Sequence, residues 1–195
     1  MASYNRKKQT IDEHFPNGFM FSVLVHDCWK CYFKVAAIAH QICTAHLLRD
    51  LNHVIECYEL KWANDFKILL KDSIDYKKTL RDEDYLESEQ RNEFENRLNI
   101  LLEEPIDKKF PLALTLQKRL IKYREHIFTF LYVPDVPPDN NASERAIRNI
   151  KVKHKVSGFF KSYEGAQSFA VIRSIIDTAI KNDINPLYAL SQVNS

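Results

Sequence analysis

At 195 residues, with 45% hydrophobic and 12% aromatic side chains, the chain is long and apolar enough for one domain, or one domain with an insertion. A formal charge of +2 excludes a polycationic surface, so contact with nucleic acid must rest on a local basic patch. No stretch has the length and apolarity of a membrane span and no signal peptide opens the sequence, so the 4 cysteines are expected as reduced thiols in the cytosol.

With only 3 glycines and long apolar-periodic runs, a mostly helical protein is expected. Thr10 is positioned to cap a short helix from Ile11 to Phe15, broken by Pro16-Asn17-Gly18. Phe19 to Val25 is a nearly continuous apolar run, the pattern of a strand buried on both faces. Asp27 follows its C-terminal end, where sheet-based sites commonly place polar groups. Trp29 to Ala39 reads as a helix, His40 to Cys43 as a second short strand, and Thr44 as the cap of a helix through Leu48, Leu51 and Ile55. From Leu60 to Tyr132 the periodicity is helical, with a break at Pro105. Pro111 is placed as a first-turn residue for a helix carrying Leu116, Leu120, Tyr123, Ile127 and Phe130. The acidic run from Asp82 to Glu104 is a solvated face rather than one that lies on DNA. Val156 to Phe160 forms a short apolar connection. Ser162 then caps a helix with a core stripe of Phe169, Ile172, Ile176 and Ile180, and Asn185-Pro186 starts a last short helix. Arg173, in that otherwise apolar helix, is a snorkelling surface residue or a helper near phosphates.

The stretch from Val136 to Lys155, VPPDNNASERAIRNIKVKHK, carries the strongest signal. Pro137 and Pro138 keep the backbone extended, and Asp139, Asn140 and Asn141 are cap-type residues for a helix that follows. Ala146, Ile147 and Ile150 form an apolar stripe. Glu144, Arg148, Lys151 and Lys155 fall at i, i+4, i+7 and i+11 and share the other face. Two readings fit that spacing. One is a capped amphipathic helix whose Glu complements the helix dipole. The other is a site where a carboxylate meets a cation and the basic residues meet phosphates.

DNNASERAIR resembles the DNN-x-x-ER-x-x-R segment of transposases of the insertion sequence 66 family, in which the Glu closes a DDE triad on a ribonuclease-H-like fold. GAQSFAVIRSIIDTAIKNDINPLYAL resembles the family's closing helices. VLVHDCWKCYF with HQICTAHLLRDL resembles the segment bearing its second Asp and a C-x-x-H element. The likeness covers most of the chain and is weakest over the middle third. It implies an α/β, helix-dominated, truncated ribonuclease-H-like fold with a large all-helical insertion. Residues 1–59 would then be a partial ribonuclease-H-like part, 60–135 the insertion, and 136–195 the closing helices. It implies DDE-type DNA strand cleavage and transfer, with Asp27 and Glu144 on Mg²⁺ or Mn²⁺. Arg145, Arg148, Lys151 and Lys155 would lie against transposon-end DNA. The partners implied are DNA and either further copies of the chain or a full-length transposase, with no membrane, in a bacterial cytoplasm at the nucleoid.

The family's first Asp has no counterpart here. Apart from Glu13, Asp12 is the acidic residue that precedes Asp27, and its helix-like context marks it as a surface residue. The expectation is therefore a truncated and inactive copy, or half of a split reading frame. The alternative is a non-catalytic remnant that binds DNA or a transposase.

The cysteines open two rival chemistries. Cys28-Trp29-Lys30-Cys31 has the layout of a thiol-redox motif, although no later strand with a cis-proline partner is visible. Cys28-x-x-Cys31 with Cys43-x-x-His46 resembles a four-ligand Zn²⁺ spacing, but CWKC lacks the glycine of a tight zinc knuckle. A structural role for Cys43 and His46 at the base of the insertion is the preferred reading, and Cys57 is expected as a small core residue.

Overall fold

Gly18 sets the start of the first strand. It adopts φ +61°, and a Cβ there would press into the Ala36 carbonyl oxygen and lie 3.0 Å from Ala36 Cβ. Only glycine lets the Phe19 N–H reach Ala36 O, at 2.6 Å. This computed structural model describes residues 8–81, 85, 88–158 and 160–192. Two units divide the chain: residues 11–140, and residues 141–195 with the first ten.

Helix α1 (Lys8–His14) leads into strand β1 (Phe19–His26), which pairs in parallel with β2 (Ala37–Ile42). The register runs from Phe19 opposite Ala37 to His26 opposite Ile42, with an irregularity before Val23. These two strands form a two-stranded sheet among the described residues, and helices dominate the rest of an α/β fold. β1 is not buried on both faces as its apolar run suggests. Met20, Phe21 and Ser22 are exposed, Phe21 at 94%, and only His26 at the far end is buried. Trp29–Ala39 is not a helix either. A single 3-10 turn, Tyr32–Lys34, interrupts a crossover that returns the chain to β2. Pairing with β1, a non-local event, holds Ala37–Ala39 extended against their helical periodicity.

Helix α2 (Thr44–Tyr58) starts one residue earlier than a Thr44 cap requires. Cys43 occupies the cap position, and Thr44 is the first helical residue. Helices α3 (Lys61–Thr79), α4 (Glu89–Glu103), α5 (Pro111–Lys122) and the single turn α6 (Thr129–Tyr132) follow. Pro111 does occupy the first turn of α5. That helix stops at Lys122, however, and Ile127 and Phe130 belong to the turns after it.

One core joins β2 to α2–α6. It is built from Ile42, Leu47, Leu51, Trp62, Phe66, Leu98, Leu120 and Phe130, all essentially buried. Burying side chains of this size contributes about 1.5–3 kcal/mol each. Trp62 sends its indole N–H to Leu101 O at 2.8 Å. Gln117 Nε2 donates to Leu102 O at 3.2 Å and Glu104 O at 2.7 Å, satisfying carbonyls that α4 leaves open at its C-terminus. Cys57 is exposed rather than part of this core, because it faces away from the α2 stripe of Leu47, Leu51 and Val54.

In the other unit, α7 (Asn141–Ser157) runs through Val156 and leaves no apolar connection there. Helices α8 (Tyr163–Lys181) and α9 (Pro186–Ser191) follow. Ser162 caps α8 by accepting the Gly165 N–H at 3.0 Å, and Asn185 caps α9 ahead of Pro186. Asp183, at φ 56°, closes α8, and Ile184 N–H reaches back to Ala179 O at 2.8 Å. The expected core stripe of α8 is not buried. Ile172 and Ile180 are exposed, Phe169 and Ile176 are half-buried, and Ala179 is buried where α9 covers it. Arg173 does not reach out to solvent as a lone cation: it pairs with Asp177 through both Nε (3.0 Å) and Nη2 (2.6 Å).

Candidate functional site

The C-terminal end of β1 gathers the chemistry of the first unit. His26 is 3% exposed, and Asp27 immediately after it is exposed. The Asp27 carboxylate folds back on its own turn, with Oδ1 accepting the Trp29 N–H at 3.3 Å. Cys28 takes φ +65°, an unusual conformation for a residue with a side chain, and gives its N–H to His26 Nδ1 at 3.2 Å. The other ring nitrogen of His26 lies 3.3 Å from His40 Nδ1, across the sheet on β2.

His126, from the turn after α5, stands edge-on to His40 at 5.5 Å between ring centroids. Phe33 lies against His26 and His40 and stacks flat on Tyr123 at 3.9 Å. Burial pushes the imidazolium of His26 down to about 4, with repulsion from His40 adding to it and Asp27 opposing it. Burial lowers His40 and His126 as well, so all three rings are neutral at ordinary pH. This cluster was not legible from spacing, since its members lie 14 and 86 residues apart. Neither was the ion pair of Arg119 with Asp50, which joins α5 to α2 and acts electrostatically on the Cys28 thiol.

Cys28 and Cys31 are free thiols. Desolvation pushes both above their ordinary value, the reverse of what an attacking thiolate needs, and no α-helix N-terminus follows them. Among the described residues no group of three or more His, Cys, Asp or Glu side chains is arranged to hold a metal ion, so Cys28, Cys31, Cys43 and His46 form no four-ligand set.

Cys43 instead joins three segments. Its N–H donates to His26 O at 2.8 Å, and its buried Sγ accepts the Asn140 N–H at 3.4 Å. Beside it, Thr44 sends both its N–H (2.9 Å) and its hydroxyl (3.0 Å) to Pro138 O. The end of β1, the start of α2 and the Pro138–Asn140 segment are thus stitched together within one unit.

The second unit begins at the next residue with α7. Glu144 is half-buried in its first turn, while Arg145, Arg148, Lys151 and Lys155 are exposed along it. Ala146 and Ile150 are half-buried, and Ile147 is exposed. Asp27 and Glu144 therefore stand in different units.

A family model described as Transposase IS66 family matches residues 2–168. The chain belongs to this transposase family. The match spans both the Asp27 turn and the whole of α7, and ends within α8. No curated protein and no solved structure matches the chain. In this IS66 transposase chain no helix among the described residues is long and apolar enough to cross a membrane.

Proposed function

We propose that the chain works in DNA transposition as part of a DDE-type strand-cleaving and strand-transferring machine, supplying the second and third carboxylates of its triad, Asp27 and Glu144. The observation that carries this reading is the family match over residues 2–168, which spans both the Asp27 turn and the whole of α7. Within the first unit, Cys43 ties the main chain of His26, one residue before Asp27, to that of Asn140. A parallel β1–β2 pair with a carboxylate at its C-terminal end also suits a ribonuclease-H-like sheet, with 60–135 as the helical insertion and 136–195 as its closing helices.

Carboxylates are the hard oxygen donors that Mg²⁺ or Mn²⁺ prefers, and two of them fit such an ion without completing a cage for two. When bound, the ions supply charge neutralisation at the scissile phosphate and activation of the attacking oxygen. The chain's own contribution is orientation. Asp27 is held by a turn whose main chain is tied to a buried ring, and Glu144 by the first helical turn of α7. Arg145, Arg148, Lys151 and Lys155 hold the DNA backbone of the transposon ends at the exposed side of α7.

Two carboxylates leave the attacking oxygen poorly placed, and small misplacements are costly in phosphoryl transfer. A polypeptide that carries the first Asp, such as a full-length transposase, would complete the site, and the chain would act with it, and with further copies of itself on DNA, at the nucleoid. The count of carboxylates also favours a second reading, a non-catalytic DNA- or transposase-binding remnant. Mixing the chain with a family-derived polypeptide that carries the first Asp separates the two. The enzyme reading predicts Mg²⁺-dependent cleavage at transposon ends that disappears in Asp27→Ala and in Glu144→Ala. DNA binding without cleavage in every mixture leaves only the remnant.

A further inference from the structure

The ring nitrogens around the Asp27 turn can be assigned from what they touch. The Cys28 main-chain N–H is only a donor, so His26 Nδ1, 3.2 Å away, must be an acceptor and carry no proton. The proton of the neutral ring then sits on Nε2, which faces His40 Nδ1 at 3.3 Å and donates to it. That leaves the His40 proton on its own Nε2. The result is a one-directional chain, Cys28 N–H to His26 to His40. It links the start of the crossover, just after β1, to β2.

We propose that His26 is a positioning residue for Asp27: its ring takes the Cys28 N–H on Nδ1, passes a hydrogen bond from Nε2 to His40, and so holds the turn that presents the carboxylate. This rests on the reading of Asp27 as a metal ligand. Several features show that the arrangement is built rather than incidental. The His26 ring is buried and walled by Phe33 edge-on at 4.5 Å and by Tyr32 at 5.2 Å. Its partner's strand is pinned from behind, where the Thr129 hydroxyl donates to His40 O at 2.6 Å. The bond to Cys28 also supports a backbone at φ +65°, which a residue with a side chain adopts at a cost and keeps only when its surroundings hold it there.

The experiment uses the full chain, labelled with ¹⁵N. Long-range proton–nitrogen spectra report which nitrogen of His26 carries the proton, amide exchange reports the Cys28 N–H, and Mn²⁺-induced broadening reports the Asp27 turn. His26→Asn puts an amide oxygen where Nδ1 stands, whereas His26→Gln extends its polar atoms towards the place of Nε2.

The expected result is a native ring protonated on Nε2. Cys28 exchange should stay within about threefold of native in the Asn variant. In the Gln variant it should rise about tenfold, with a similar loss of Mn²⁺ affinity, the size of one lost hydrogen bond. A native ring protonated on Nδ1 overturns the proposal, and so does native Cys28 exchange in the Gln variant. The native tautomer needs no variant, so the test decides even if His26→Gln fails to fold. If Mn²⁺ broadens the native chain away from Asp27, the metal reading fails and the positioning role falls with it. Broadening at Asp27 with unchanged Cys28 exchange in the Gln variant refutes the role of His26 alone.

Discussion

Gln41→Leu isolates the tie between the small sheet and the helices that follow it. Gln41 is fully buried in β2 and is used on both ends of its amide. Nε2 donates to Ile42 O at 2.6 Å and to Ile127 O at 2.9 Å, while Oε1 accepts the Phe130 N–H at 2.9 Å. Leucine is of similar size and fills the space, but it leaves three main-chain groups without this partner in a dry interior. Each such group costs about 1–3 kcal/mol, and the added apolar burial returns roughly 1 kcal/mol, so a net loss of about 2–8 kcal/mol is expected. That is a large share of the roughly 5–15 kcal/mol that holds a domain folded. Urea unfolding followed by far-UV circular dichroism should show a lower midpoint at an unchanged slope, since the surface exposed on unfolding is the same. Thr129→Val, which removes only the hydroxyl bond to His40 O, should cost about 1 kcal/mol in the same assay. A Gln41→Leu loss below about 1 kcal/mol would show that the amide does not join these segments.

Further outcomes follow from the same contacts. Burial holds the folded-state pKa of His26 at about 4, below its ordinary value of 6.5, with His40 and His126 also lowered. The neutral rings thus stabilise the fold above their unfolded pKa, and that stability is lost as pH falls through 6.5 towards 4. His26 accounts for roughly 1 kcal/mol of loss by about pH 5.5, and unfolding curves for His26→Asn should show a shallower acid decline. Gly18→Ala meets both a positive φ and the Ala36 carbonyl, so it should cost about 2–4 kcal/mol. Gly158→Ala, at φ +75° in open space, should cost only about 1 kcal/mol, and thermal melts would rank the two. For DNA, replacing exposed Arg148 and Lys151 by alanine should reduce the slope of log affinity against log salt by about 1.8, as measured by fluorescence anisotropy. An unchanged slope would remove α7 from the interface.

Local chemistry made part of this fold legible in the residues. Ser162, Asn185-Pro186 and Pro111 mark helix starts through bonds made within a few residues, so they read correctly. The uncharged run after Gly18 likewise marks β1. What sequence reading misplaced depends on distant partners. Trp29–Ala39 has a helical rhythm, yet its end is drawn into β2 by a strand on the far side of a turn. The apolar stripe of α8 is real as a pattern, but periodicity cannot say what covers it, and along α8 only Ala179 is buried. At the site, the DNN-x-x-ER motif and the Asp27 turn stood out because their residue types carry chemistry at short spacing. His40 and His126 carry no such mark, and only the β1–β2 register brings His40 beside His26.

The central claim is that Asp27 and Glu144 serve one metal site. Iron-directed cleavage tests it without requiring activity. Fe²⁺ takes the place of Mg²⁺ on the full chain, and ascorbate with peroxide generates hydroxyl radicals that cut the backbone next to the ion. The account predicts two sets of fragments, ending near residue 27 and near residue 144. Both should be suppressed by excess Mg²⁺ or Mn²⁺, and both should be lost in Asp27→Ala. Cuts near only one of the two positions, or cuts near both that survive Asp27→Ala and Glu144→Ala, would contradict it.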